Sequence, residues 1–205
     1  IRDRLVQEGI ANRWGTSKFI SKYLEKFAEL NRDARRIAIT EAGFASSNGY
    51  IARLEPGTFV VGQSAPDACP WCRKHIHGKV LKVVHPKDAP GDYSDLEGKP
   101  EYFKLHRRWE REIWVGKTNY GRSLSKRKRM PDGSFVDRPL HERAVAVIPA
   151  HPHCRCAWQV INPETMYVDE KGEIHFASHN ISAWKEFLKR IRREFGEERE
   201  LVESR

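Results

Sequence analysis

The sequence is poor in sulfur, with four cysteines and two methionines in 205 residues. Four cysteines are too few for the dense disulfide framework of a small secreted domain. No apolar run approaches the roughly 18 residues that suggest a membrane span. No charged-then-apolar leader is found either, so a membrane or secreted location is not expected. Internal repeats and low-complexity tracts are lacking, which argues against a solenoid and against a disordered tail. What is there is a globular composition with a wet surface. Hydrophobic residues make up 39% and charged residues 32%, with six Trp and nine Phe. That length and composition support one sizeable core, or one domain with appended arms.

Acidic residues are scarce where basic ones are dense. The chain carries a formal net charge of +9. Most of it lies between Lys104 and Arg129, where ten basic residues meet only Glu110 and Glu112, a local charge of +8. A concentrated cationic segment attracts a polyanion by releasing its condensed counterions. Lys104, Arg107, Arg108, Arg111, Lys126, Arg127, Lys128 and Arg129 are therefore the candidate contacts to double-stranded DNA. The contact is expected to be independent of base sequence because it is mainly charge. Tyr102, Trp109, Trp114 and Tyr120 are interleaved as stacking or packing rings.

The pattern of apolar residues predicts an α+β fold. Leu5, Ile10 and Trp14 mark one helix, and Phe19, Ile20, Tyr23, Leu24 and Phe27 mark a second. A third starts near Asn31 or Asp33 and runs toward Ile51 or Leu54, with a stretch of small residues from Ala42 to Gly49 suited to close packing. After Pro56-Gly57 the chain turns β-rich, with strands expected at Thr58–Val61, Lys79–Val84, Ala144–Ile148 and Ala157–Ile161, and a brief one at Ile174–Phe176. Met130-Pro131-Asp132-Gly133-Ser134 is a turn sequence that predicts a hairpin. Glu101–Trp114 predicts a helix with Tyr102, Leu105, Trp109 and Ile113 on one side. Trp184, Phe187, Leu188, Ile191 and Phe195 predict an amphipathic helix over Ser182–Phe195, stopped by Gly196. That helix packs on its own core or docks on another chain. The organisation expected is a helical half over 1–55, a metal-stapled β region over 56–85 and 144–162, a basic insertion over 86–143, and a C-terminal extension over 163–205 with its amphipathic helix.

The cysteines fall in two close pairs, Cys69-Pro-Trp-Cys72 and Cys154-Arg-Cys156. A C-x2-C turn places two thiolates on one side of a tight loop, and a second pair completes a tetrahedron. Cys69, Cys72, Cys154 and Cys156 are thus the expected ligands of one closed, structural Zn2+ site. His151 has plausible ligand spacing too and stands as the alternative to Cys156. Disulfides within such short spacings are strained. A redox pair at Cys69–Cys72 needs a following helix in a βαβ setting, whereas this one leads through His77-Gly78 into a strand. An enzyme is not expected. A metal-dependent nuclease using His75, His77, His151 and His153 is the alternative. It needs an open coordination position and an acid or base, and no acidic residue stands beside the His-Pro-His element. Nothing spells out a toxin active site.

The order of motifs adds a resemblance. Arg36-Ile-Ala-Ile-Thr40-Glu41 is followed by small residues and Asn48-Gly49, then by Asp67, the C-x2-C pair, Gly78-Lys79-Val80, and His151-Pro-His-Cys154-Arg-Cys156. Over about residues 1–84 and 144–162 this resembles the C-terminal domain of the Mu F-like minor head proteins of tailed bacteriophages, the head morphogenesis family. The resemblance implies a virion protein assembled in the bacterial cytoplasm. It implies a place in the capsid interior or at the portal vertex, beside the portal or other head proteins and in reach of packaged DNA. The insertion and the C-terminal extension lie outside the resemblance. Glu41 is expected to be a buried or capping carboxylate rather than a general base.

Overall fold

The computed structural model describes residues 32–196. The two helices expected before Asn31 lie outside that range. The chain has a mixed α+β fold, with α1 (Arg32–Ile51), β1 (Phe59–Gln63), α2 (Pro70–His75), β2 (Val80–Val83), α3 (Pro100–Arg111), β3 (Glu112–Ile113), β4 (Arg127–Arg129), β5 (Phe135–Asp137), β6 (Ala157–Ile161), β7 (Met166–Val168), β8 (Ile174–Phe176) and α4 (Ile181–Phe195). No helix among the described residues is long and apolar enough to cross a membrane.

A four-stranded sheet ordered β3-β2-β1-β6 organises the molecule. β1 pairs antiparallel with both β2 and β6, while β2 and β3 run parallel across the α3 crossover. Successive side chains of a strand point to opposite faces, and here both faces are covered. Val60, Leu81 and Trp158 face a core shared with Ile51, Cys72, Ile76 and the segment Ala146–Ala150. Val61, Val80 and Ile161 face a second core completed by Tyr167, Val168, Phe187 and Ile191.

The small-residue stretch of α1 packs closely. Ala42 and Ala45 are buried, and Gly43 lies against the carbonyl of Cys154 and the ring of Pro149. Asn48 is buried and accepts a 2.5 Å hydrogen bond from the Gly116 amide. Tyr50 accepts one from the Val160 amide. These two contacts lock the helix to both halves of the sheet region.

α4 packs on its own core. Asn180 caps it by accepting from the Ala183 amide, Phe195 meets Phe59 edge-on, and Trp184 donates to the Pro163 carbonyl. Phe187 is 4% exposed, so Phe187→Ala is expected to cost about 3 kcal/mol. A chemical-denaturation midpoint within error of the parent would contradict this packing.

Two expectations are corrected. Ala144–Ile148 forms no strand, although Val145–Ile148 are buried. The Asn119 side chain replaces the missing neighbour strand, accepting from the Val145 amide and donating to its carbonyl, both at 3.0 Å. α3 ends at Arg111 rather than Trp114, because Glu112 and Ile113 pair with β2. The expected side does face inward, with Tyr102 and Ile113 buried and Leu105 and Trp109 half-buried, and His106 is buried beside them. Lys117 explains how that abrupt end is satisfied. Its buried Nζ donates to the carbonyls of Trp109 (2.6 Å) and Glu112 (2.5 Å), which satisfies the carbonyl end of the helix. Burial pulls its pKa well below the usual lysine value, against the attraction of Glu112.

Candidate metal centre

Each cysteine pair is placed by a local device. Cys69 is the N-cap of α2, its sulfur accepting from the Cys72 amide, with Pro70 at the first helical position. The short helix that begins within the first pair was not legible from periodicity. The setting is still not thioredoxin-like, because the flanking β1 and β2 are antiparallel. Cys156 immediately precedes β6, whose first residue Ala157 pairs with Gln63 at the end of β1. His151–Cys154 is a turn closed by the Cys154 amide donating to the His151 carbonyl. His153 takes the left-handed backbone conformation there, with φ of 61°.

These devices bring five donors together. Cys69, Cys72 and His151 form one group, and Cys72, Cys154 and Cys156 form another, with the ligand atoms of each group within 4.8 Å of one another. The imidazole Nε2 of His151 is 3.2 Å from both Cys69 Sγ and Cys72 Sγ. Cys72 Sγ is 3.9 Å from Cys154 Sγ. A tetrahedral ion with metal–sulfur bonds of about 2.3 Å holds its sulfurs about 3.8 Å apart. The cluster is therefore one in which a metal ion can be bound, and Cys72 is common to both groups. The sequence-derived set of four cysteines and the alternative ligand His151 all converge here.

The cluster shares its protons unevenly. Hydrogen bonds from Cys156 and Cys72 hold the Cys154 thiol far below its usual range, and those two thiols are pushed up in exchange. Burial works to raise Cys69, but the Cys72 amide and His151 outweigh it and the net shift is downward. Burial works to lower His151, while its bond to the Pro152 carbonyl and the nearby Cys154 and Cys69 leave it raised. Thiolate character is thus stabilised at Cys154 and Cys69 and disfavoured at Cys72 and Cys156.

A cavity of about 430 Å³ opens at the cluster, lined by Ile39, Ala65, Asp67 and His153 besides the donors. Asp67 at its lip is paired with Arg155. Neither donor group contains a carboxylate. Glu41 lines a second cavity together with Thr40, Asn119 and His151, with one carboxylate oxygen buried and lacking a hydrogen-bond partner among the described residues. His75 stacks on Trp71, and His77 accepts from the Ser64 amide and faces Glu173. Neither is among the grouped donors.

The basic candidates separate into two kinds. Arg108 forms a two-pronged pair with Glu112 at 2.7 and 2.9 Å, and Arg111 donates to the Glu194 carbonyl. Trp109, Tyr102 and Trp114 pack inward, with Arg122 lying 4.1 Å over the Trp109 ring. Lys104, Arg107, Lys126, Arg127, Lys128 and Arg129 are exposed, and so is Tyr120. The last four basic residues sit on or beside β4 of the predicted hairpin, whose turn closes through the Met130 and Gly133 amides. Asn119, which orders the approach to His151, carried no sequence signal beyond being polar.

No family model matches the chain, and no curated protein or solved structure matches it either.

Proposed function

We propose that this chain is a zinc-stapled assembly domain of a tailed-phage head, a non-enzymatic component near the portal that contacts packaged double-stranded DNA without sequence preference. The observation that carries this reading is the place of the donor cluster. Cys154 and Cys156 follow directly on the buried segment Val145–Ala150, which is the return path of the basic hairpin. A metal ion there fixes the base of that hairpin to α2 and β1. Soft thiolates with imidazole suit zinc, and the order of motifs resembles the Mu F-like head proteins. Cys69, Cys72 and Cys154 belong to either ligand set, and Cys156 is proposed as the fourth ligand with His151 competing for that position. The lack of a carboxylate in either donor group, together with the engagement of Asp67 by Arg155, favours a closed structural site over a nuclease.

The test combines metal content, DNA affinity against salt, and mass spectrometry of DNA-filled heads. Protein purified under reducing conditions is expected to carry one zinc per chain. Replacing Lys126, Arg127, Lys128 and Arg129 together by Ala is expected to flatten the slope of log affinity against log salt by about 3. Absence of metal, an unchanged slope, or absence from heads each removes the corresponding part of the proposal. Clean, Mg2+-dependent plasmid cleavage lost in His151→Ala would replace it with the nuclease.

A further inference from the structure

The β4–β5 hairpin is an anomaly in an otherwise covered fold. All six of its strand residues are exposed, and the sheet it forms contains only these two strands. A two-stranded hairpin is marginally stable in water when nothing packs on it. Its register places Arg127 opposite Asp137, Lys128 opposite Val136, and Arg129 opposite Phe135. Directly opposed residues share a face, so Arg127, Arg129 and Phe135 project together and Lys128 with Val136 projects the other way. The Arg127 guanidinium lies 5.7 Å over the Phe135 ring. The acid on that face, Asp137, stands 4.0 Å from both Arg127 and Arg143, so its charge is offset.

From this arrangement we infer that the hairpin is a β-ribbon that seats in the major groove of duplex DNA, with the Arg127–Arg129–Phe135 face toward the base edges. The inference rests on the DNA-contact reading above, departs from it in giving the contact a preference for guanine, and adds how the contact is made. The major groove, about 12 Å wide and 8.5 Å deep, admits a two-stranded ribbon. Two strands about 4.8 Å apart and three residue pairs long, roughly 10 Å, fit those dimensions. The planar donors of Arg127 and Arg129 match the guanine O6 and N7 acceptors that line the groove floor. Lys126 and Lys128 have flexible stems that reach phosphates on the walls. An acidic protein partner would also meet the charge. It would not call for a ribbon lacking a packed face on either side.

Dimethyl sulfate footprinting on a mixed-sequence 30-base-pair duplex tests the inference, because the reagent methylates guanine N7 in the major groove and adenine N3 in the minor groove. At saturating full-length protein, N7 methylation is expected to fall while N3 methylation stays as in free DNA. Arg127→Ala combined with Arg129→Ala is expected to weaken binding at least about tenfold and, at concentrations that restore saturation, to return N7 reactivity. Both positions are exposed, so zinc content and melting temperature should be unchanged. Salt-sensitive binding without N7 protection would overturn the ribbon-in-groove inference and leave backbone contact standing. Loss of N3 reactivity instead would overturn it in favour of the minor groove. No binding at low salt would overturn both the inference and the DNA-contact reading, and would point to a protein partner.

Discussion

Cys72→Ser is expected to abolish stoichiometric metal binding and to lower the melting temperature by about 10–20 °C, the equivalent of about 5 kcal/mol for a chain of this size. Cys69→Ser and Cys154→Ser should also lose metal, since those residues belong to either ligand set, but Cys72 is the most deeply buried of the three. Cys72 is the one donor common to both groups, its side chain is 1% exposed, and it sits in the helical turn that Ile76 and His77 bond back to. A serine there leaves a hydroxyl among sulfurs and withdraws a ligand from both donor groups. Cys156→Ser and His151→Ala should behave differently. Five donors compete for four positions, so one of these two variants should retain a full complement of zinc and the other should not. The visible spectrum of the cobalt-substituted protein tells an all-sulfur site from one with a nitrogen. Unchanged zinc content and melting temperature in Cys72→Ser would refute the assignment.

Gly62→Ala carries the second large effect, about 3 kcal/mol. A Cβ at Gly62 would lie 2.3 Å from the carbonyl oxygen of Ile76 and 2.8 Å from its Cγ2. The obstruction is backbone, so relief requires α2 to lift off β1. Because α2 carries Cys69 and Cys72, zinc affinity should fall together with stability. Gly57→Ala is the contrast. Gly57 has φ of 94°, and a methyl group there would meet nothing within 4 Å, so only its backbone preference is lost, about 1 kcal/mol. Equal effects at the two positions would mean that the contact between α2 and β1 is not the cause.

The features legible in the sequence were those decided locally. The turn from Met130 to Ser134 carries its own Pro and Asp-Gly chemistry. Ile174–Phe176 forms β8 as expected, and the spacing of Trp184, Phe187, Ile191 and Phe195 specifies α4 within one turn at either end. The cysteine pairs were legible because each is close in sequence. What brings the pairs together was not, since it depends on β6 returning to β1 from far along the chain. The run Val145–Ile148 has the composition of a strand, but composition does not show that the Asn119 amide takes the place of a neighbour. The charge count had the same limit. Ten basic residues read alike in sequence, yet Lys117 is consumed by carbonyls and Arg108 by Glu112. Only the exposed remainder is available to a partner.

The return of the hairpin to its starting point has a further consequence. Ser123 accepts from the Ala144 amide and donates to the Glu142 carbonyl, so the chain departs and comes back at almost one place, and what lies between is a closed excursion. The entropy of closing such a loop rises only with the logarithm of its length. The part beyond the bond from the Arg138 amide to the Lys126 carbonyl is thus a fitting clipped to a socket, which can be shortened, lengthened or exchanged for one of different chemistry while His141 keeps its hold on Tyr102.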